Sequence, residues 1–254
     1  MRVAVLNDIH GNLPALEAVL EEVRGAGADR VVVGGDVVPG PMAPEVLALL
    51  TSLDMPAHFL VGNGETAALT AMQGRDDPRV PEMYRPLMRW TARQIERDYG
   101  GLLASWPKTQ RLSIAGIGDV LFCHATPRDD NEVFTKLTPD EVVRPMFDRD
   151  NVAGAALVVC GHTHMPFDRR LGATRIVNSG SVGMTFGTPG ADWLLLGPDV
   201  TFRHTDYDRE AAAARIRATE YPDAEVFAAQ YVLNPPTEAK MLEAFTAASM
   251  ARKP

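Results

Sequence analysis

The chain has 254 residues, of which 46% are hydrophobic and 23% charged, and a formal net charge of −8. That composition can bury a full core and is not that of a disordered chain. The acidic balance, with no long basic run, excludes an extended duplex nucleic-acid surface, and two cysteines make no disulfide framework.

Val3 to Leu6 form an apolar run that meets a carboxylate at Asp8, too early for the core of a signal peptide. No apolar stretch approaches the roughly 20 residues of a membrane span, so the expected location is the cytoplasm and no membrane contact is expected. After the cluster Asp8-Ile9-His10, Asn12 can cap a helix, with Pro14 in its first turn and one stripe of Leu16, Val19, Leu20 and Val23; Gly25 and Gly27 end it. Val31-Val32-Val33 is a second strand, halted by Gly34-Gly35 before Asp36. A helix around Glu45 to Leu53 leads to a third strand, His58 to Val61, halted by Gly62 before Asn63. This β-α-β-α-β rhythm predicts parallel strands with right-handed crossovers. Ligands of open α/β sheets lie beyond the carboxyl ends of strands, so Asp8, Asp36 and Asn63 are expected along one edge.

The segment 75–106 changes character: Tyr84, Trp90, Ile95 and Tyr99 stand among many arginines, a pattern of helices laid over the core and able to overhang a site. Strands at Arg111–Ile114 and Val120–Cys123 flank Gly116-Ile117-Gly118-Asp119, a hairpin signal, and His124 follows directly. A helix near Pro139 to Phe147 precedes a buried strand, Ala155 to Cys160, which ends at Gly161-His162-Thr163-His164. Short strands around Phe167–Leu171, Arg175–Val177, Trp193–Leu196 and Val200–His204 suggest antiparallel pairing. The tail from Asp208 is helical, broken at Pro222 and at Pro235-Pro236.

Four of the six histidines fall in these post-strand clusters. Every donor there is a hard oxygen or an imidazole nitrogen, a set suited to manganese, iron or zinc and not to a thiolate site. Asp and Asn also favour turns for purely local reasons. Two histidines one residue apart, after a glycine at the end of an Ala, Leu and Val strand, have no such explanation. Glu65 reads as a helix-start carboxylate that could also orient a ligand. Arg128 and Asn12 are candidates to reach a substrate phosphate. His58, His204, Cys123 and Cys160 read as structural, and the arginine-aromatic mix from Tyr84 to Tyr99 could stack on a base or simply present a solvated face.

The ordered motifs D-x-H, G-D, G-N, H and G-H-x-H resemble those of the calcineurin-like metallophosphoesterase superfamily, over residues 1 to about 185. Asn178-Ser179-Gly180-Ser181 also resembles the N-P-G-S loop of its small bacterial phosphodiesterase branch, with serine for proline. The resemblance implies an α/β fold, an α/β/β/α sandwich of two mixed sheets flanked by helices: residues 1–206 as the metallophosphoesterase domain, a helical insertion at about 75–106, and a helical C-terminal extension, 207–254, packed on the same domain. It implies two divalent metal ions, manganese first, with iron, zinc, nickel or magnesium also compatible. One would be held by Asp8, His10, Asp36 and His164, the other by Asp36, Asn63, His124 and His162, with the two oxygens of Asp36 as the bridge. Asp36, Asn63 and His124 would then line the chemistry, and the implied nucleophile is a hydroxide held between the metals, acting on a small phosphate ester.

One departure stands out. Many members carry a histidine after the G-N pair that can protonate the leaving group, and here that position is Gly64. Losing a positioned acid typically costs about 10²–10⁴-fold where the leaving group is basic. The expected preference is for phosphodiesters or activated esters, unless another residue supplies the proton. The alternatives are a phosphomonoesterase, acting on nucleotides or phosphoproteins, and a catalytically inactive metal-binding scaffold. The C-terminal helices could pair in a homo-oligomer.

Overall fold

The computed structural model describes residues 1–251. Among the described residues, ten strands form two mixed five-stranded sheets. The first has the order β10-β9-β1-β2-β3, where β1 is Val3–Leu6, β2 Arg30–Val33, β3 Ala57–Phe59, β9 Ala191–Leu196 and β10 Val200–Thr205. Its three early strands are parallel, as the β-α-β rhythm requires, and β9 lies antiparallel beside β1. The second sheet has the order β4-β5-β6-β8-β7, with β4 Thr109–Ile114, β5 Gly118–Cys123, β6 Leu157–Cys160, β7 Phe167–Leu171 and β8 Thr174–Asn178.

Alternate residues of β1, β2 and β6 face different layers, which is why these strands read as apolar runs. Val3, Val5 and Val32 pack against Val120, Phe122, Leu157, Val159 and Val177 in the seam between the sheets. Their neighbours Ala4, Leu6, Val31 and Val33 face α1 (Leu13–Gly25) and α2 (Ala43–Thr51). On the far side, Leu121, Cys123, Val158, Cys160 and Ile176 pack on Phe134, Val143, Met146 and Phe147. The result is the four-layered α/β/β/α sandwich.

The four late strands do not all pair as expected. β7 with β8 and β9 with β10 are antiparallel, but β8 also runs parallel to β6, and β9 crosses to the first sheet. Ile176 and Val177 of β8 and Trp193 and Leu194 of β9 are all buried. Interior strands such as these need a neighbour on both edges, and a hairpin alone supplies one.

Gly62 leads into α3 (Asn63–Met72). Segment 75–106 contributes a 3₁₀ turn, Glu82–Tyr84, and one long helix, α4 (Arg85–Ser105). Ile95 and Leu103 of α4 join Ala68, Leu69 and Met72 of α3 at the core, and the opposite face of α4 is polar. Short helices α5 (Asp140–Val143) and α6 (Arg149–Val152) flank a 3₁₀ turn, Arg144–Phe147. Beyond residue 206 come α7 (Arg209–Arg217), α8 (Ala224–Phe227), a π-helical turn over Ala228–Leu233, and α9 (Glu238–Ala251). Ile216, Tyr221 and Phe227 pack on Met42 and on Leu87 and Trp90 of α4, while Leu242 and Phe245 cover Phe186. The last three positions of that tail lie outside the described residues. Among the described residues, no helix is long and apolar enough to cross a membrane.

Candidate metal centre

Each candidate ligand sits just past the carboxyl end of a strand: Asp8 and His10 after β1, Asp36 after β2, Asn63 after β3, His124 after β5, His162 and His164 after β6. The first sheet supplies four and the second three, so the centre lies where the same ends of two sheets meet. Among the described residues, six non-glycine residues have left-handed φ. Five are candidate ligands: Asp8 (55°), His10 (47°), Asp36 (50°), His162 (68°) and His164 (60°); the sixth is Ala153. Such backbone costs about 1–3 kcal/mol per residue and persists only where its surroundings impose it. Here the loops are laced together. Asp8 N–H donates to Gly35 O (3.1 Å), His10 N–H to Asp36 O (2.9 Å), Gly161 N–H to His124 O (2.8 Å) and Gly183 N–H to Asp8 O (3.0 Å). The strained turns aim each side chain at a common point.

Donor atoms of Asp8, His10 and His164 all lie within 4.8 Å of one another, as do those of Asp36, His124 and His162. The carboxylate of Asp36 faces both groups: Oδ2 is 3.7 Å from His10 Nε2, and Oδ1 is 3.4 Å from His124 Nε2. Asn63 Oδ1 stands 2.9 Å from His124 Nε2. Three imidazoles are tied by the other nitrogen to backbone carbonyls, His10 Nδ1 to Pro39 O (3.3 Å), His124 Nδ1 to Gly34 O (2.9 Å) and His164 Nδ1 to Met184 O (2.8 Å). A carbonyl only accepts, so each Nδ1 carries the proton, and in its neutral form each such ring turns an Nε2 lone pair inward.

Those lone pairs meet other acceptors. His10 Nε2 and His164 Nε2 are 3.2 Å apart, and His164 Nε2 is 3.3 Å from Asp8 Oδ1, a buried atom that takes no hydrogen bond. Acceptors facing acceptors in a dry site are repulsive unless a cation lies between them. The donor set therefore fits hard or borderline divalent cations, with the backbone-anchored histidines typical of metal ligands. The charge balance points the same way. Burial and the neighbouring Asp8 charge push the Asp36 carboxyl well above its ordinary range. Burial, then His164, pushes His10 down to about 3. Two carboxylates buried side by side call for compensating positive charge.

A second layer holds the first. Glu65 is fully buried and accepts from the backbone N–H groups of Asp36 (2.8 Å), Val37 (2.7 Å), Val38 (3.0 Å) and Gly62 (2.7 Å). It thus starts α3, as its position suggests, and also clasps the Asp36 turn; burial and the Asp36 charge push its carboxyl up to about 7. His162 N–H donates to Asp8 Oδ2 at 2.8 Å, and Ser181 Oγ donates to Asp8 O at 2.7 Å. Asn178 Nδ2 donates to Gly161 O, so the Asn178–Ser181 loop fastens the two sheets at the centre. A Cβ on Gly161 would stand 2.3 Å from Asp8 Oδ2, which explains the glycine before His162. Phe186, which no motif marks, stacks on His164 with centroids 5.1 Å apart.

Two candidates are not drawn into the cluster. Asn12 is fully buried, its Oδ1 capping α1 at Ala15 N–H and its Nδ2 donating to Gly183 O and Tyr207 Oη. Arg128 donates to both Glu132 oxygens and to Pro145 O. Outside the centre, His58 pairs with Arg30 and His204 with Asp192. Cys123 and Cys160 are buried, and burial pushes both thiols upward.

A family profile described as the calcineurin-like phosphoesterase superfamily domain matches residues 1–197. Among curated proteins, the chain is 31% identical over 168 residues to an uncharacterized protein of Methanocaldococcus jannaschii; the match covers 65% of this chain and 63% of that protein's length. Among solved structures, a metallophosphoesterase from Sphaerobacter thermophilus is similar with a TM-score of 0.67 and 27% identity, over 90% of this chain and 98% of that one. A hypothetical protein from Pyrococcus horikoshii OT3 shares the fold with a TM-score of 0.73 and 20% identity, over 93% of this chain and 99% of that one. With a profile spanning more than three quarters of its length, the chain belongs to the calcineurin-like phosphoesterase superfamily.

Proposed function

We propose that this enzyme hydrolyses phosphodiesters at a pair of divalent cations, with manganese as the working metal and the cytoplasm as its location. In this reading Asp8, His10, Asp36 and His164 hold one cation and Asp36, Asn63, His124 and His162 the other. The observation that carries it is the Asp36 carboxylate, whose two oxygens face the two donor groups from one side chain. When bound, such a pair supplies a water of lowered pKa and neutralises charge on the phosphate oxygens.

The protein's own part is placement. Glu65 and Gly64 N–H fix the Asp36 carboxylate, the latter by donating to Oδ1 at 2.7 Å. The Nδ1–carbonyl bonds lock three imidazoles in the tautomer that donates a lone pair. Asn63, half-buried and in contact with His124, would on this reading help orient a phosphate oxygen. The diester preference rests on Gly64. A Cβ there would stand 2.0 Å from Val38 O, so the backbone itself leaves no room for an acid at that position. A diester or aryl leaving group needs such a proton least. On the same reading, residues 1–206 are the catalytic domain, with 75–106 inserted as its cover and 207–254 packed on it.

The experiment is a rate comparison with added manganese on bis(4-nitrophenyl) phosphate and 4-nitrophenyl phosphate, for wild type and Asp36→Asn. The diester should be the faster substrate, and the variant should lose activity on both. A faster monoester assigns the enzyme to phosphomonoester hydrolysis, and an active Asp36→Asn removes the bridge.

A further inference from the structure

Beside Asn63, between the start of α4 and the loop before it, lies a pocket of about 190 Å³. Its lining includes Arg79 with its partner Asp77, Val80, Pro81, Tyr84 and Met88, together with Asn63 and Asn131. A dry cavity of about 150 Å³ is enough to hold benzene, so there is space for a single ring. We propose that this pocket receives an uncharged aromatic ring carried by the phosphate ester, an aryl group or a nucleobase, and so selects the substrate's organic substituent. This deepens the phosphodiesterase reading and rests on it, because Asn63 joins the pocket to the centre.

Charge decides between a ring and a further phosphate. Arg79 is the pocket's cation, but it is already taken: its Nε and Nη2 bind the Asp77 carboxylate, at 3.1 and 2.8 Å, and its Nη1 binds Asp130 at 2.6 Å. Asp129 lies 3.8 Å from the same Nη1. Asp130 is itself fixed by Thr66 Oγ1 of α3 at 2.6 Å, so Arg79 is held as part of the wall. Three carboxylates around one guanidinium leave no positive charge for an anionic substituent. Besides the amides of Asn63 and Asn131, the lining offers Tyr84, a residue 43% exposed, the thioether of Met88, and the aliphatic surfaces of Val80 and Pro81. Tyrosine offers a face for offset stacking, and a methionine sulfur packs favourably against ring edges.

The test uses binding, so it does not depend on turnover. Titration calorimetry on the full-length, manganese-loaded protein measures methylphosphonate, phenylphosphonate and carboxymethylphosphonate, which share a headgroup and differ in the substituent. Phenylphosphonate should bind at least tenfold more tightly than methylphosphonate, and carboxymethylphosphonate no more tightly. Tyr84→Ala and Met88→Ala, both at half-buried or exposed positions, should shrink the phenyl-to-methyl ratio at least threefold while leaving methylphosphonate affinity unchanged. Thymidine 5′-monophosphate against ribose 5-phosphate separates a nucleobase from a simple aryl group. Equal binding of phenyl and methyl, a gain from the carboxyl group, or a ratio that both variants leave intact overturns the pocket and leaves the metal centre standing. If none of the phosphonates binds, the reading of the centre fails, and this one with it.

Discussion

The ligand edge and the α4 cover are built on opposite plans. At the edge, seven side chains from five strand ends are mostly buried and cross-tied by backbone hydrogen bonds, and five of them sit in strained left-handed conformations. The cover buries one face of α4 and otherwise presents arginines to solvent, paired with nearby carboxylates such as Asp76 with Arg89. Changes at the edge should therefore propagate to every function of the molecule. Changes on the outer face of α4 should stay local.

The sharpest way to break that contrast is Asp36→Asn. It removes charge from the one side chain facing both donor groups, and metal content by elemental analysis should fall along with activity, by more than the 10–100-fold usual for outer-layer partners. Next is Glu65→Gln, which points an NH₂ group at backbone donors that need an acceptor. An unsatisfied buried donor costs about 1–3 kcal/mol, so chemical denaturation should show a loss of that order, with metal affinity down roughly tenfold or more. A third test concerns pH in metal-free protein. His10 titrates near 6.5 when unfolded but is held down to about 3 when folded, so between those values the unfolded chain binds more protons. Stability attributable to His10 is therefore lost as pH falls below 6.5, and the stability profile of His10→Gln should fall less steeply than that of wild type. Asp36 contributes with opposite sign, since its raised value favours the folded state at lower pH, and it is present in both proteins. The smallest effect is expected from Arg89→Ala on the cover, which should leave thermal unfolding and metal content unchanged, because its ion pair is solvent-screened. A large loss there would show that the cover is mechanically part of the centre.

The same contrast governs what could be read before any coordinates. β1, β2 and α1 were legible because both faces of those strands are buried and one face of the helix is, leaving apolar runs and a clear helical stripe. The candidate ligands stood out as a set because metal chemistry demands specific atoms, and the structure brings their donor atoms together in two groups. The pairing of β8 and β9 was not, since a short apolar strand looks the same whether it ends a hairpin or sits inside a sheet. Glu65 was visible as a helix-start carboxylate able to orient a ligand, but not as the clasp of the Asp36 turn, because three of its four backbone partners, Asp36, Val37 and Val38, lie about 28 residues away in sequence. Phe186 carries no signal at all: an aromatic stacked on an imidazole and one filling a core are spelled alike. Asn12 suited either a cap or a phosphate contact, and its capping and burial follow from tertiary contacts to Gly183 and Tyr207.

Gly64 has a bearing on engineering. Installing the imidazole that many relatives carry looks like a one-codon edit, yet the carbonyl of Val38 already occupies the space where the new side chain would begin. Such a graft would dislodge the turn that Glu65 clasps before any proton was delivered. Whoever wants to retune this enzyme's chemistry must first re-route the chain between Val38 and Pro39, or recruit a donor from the opposite rim.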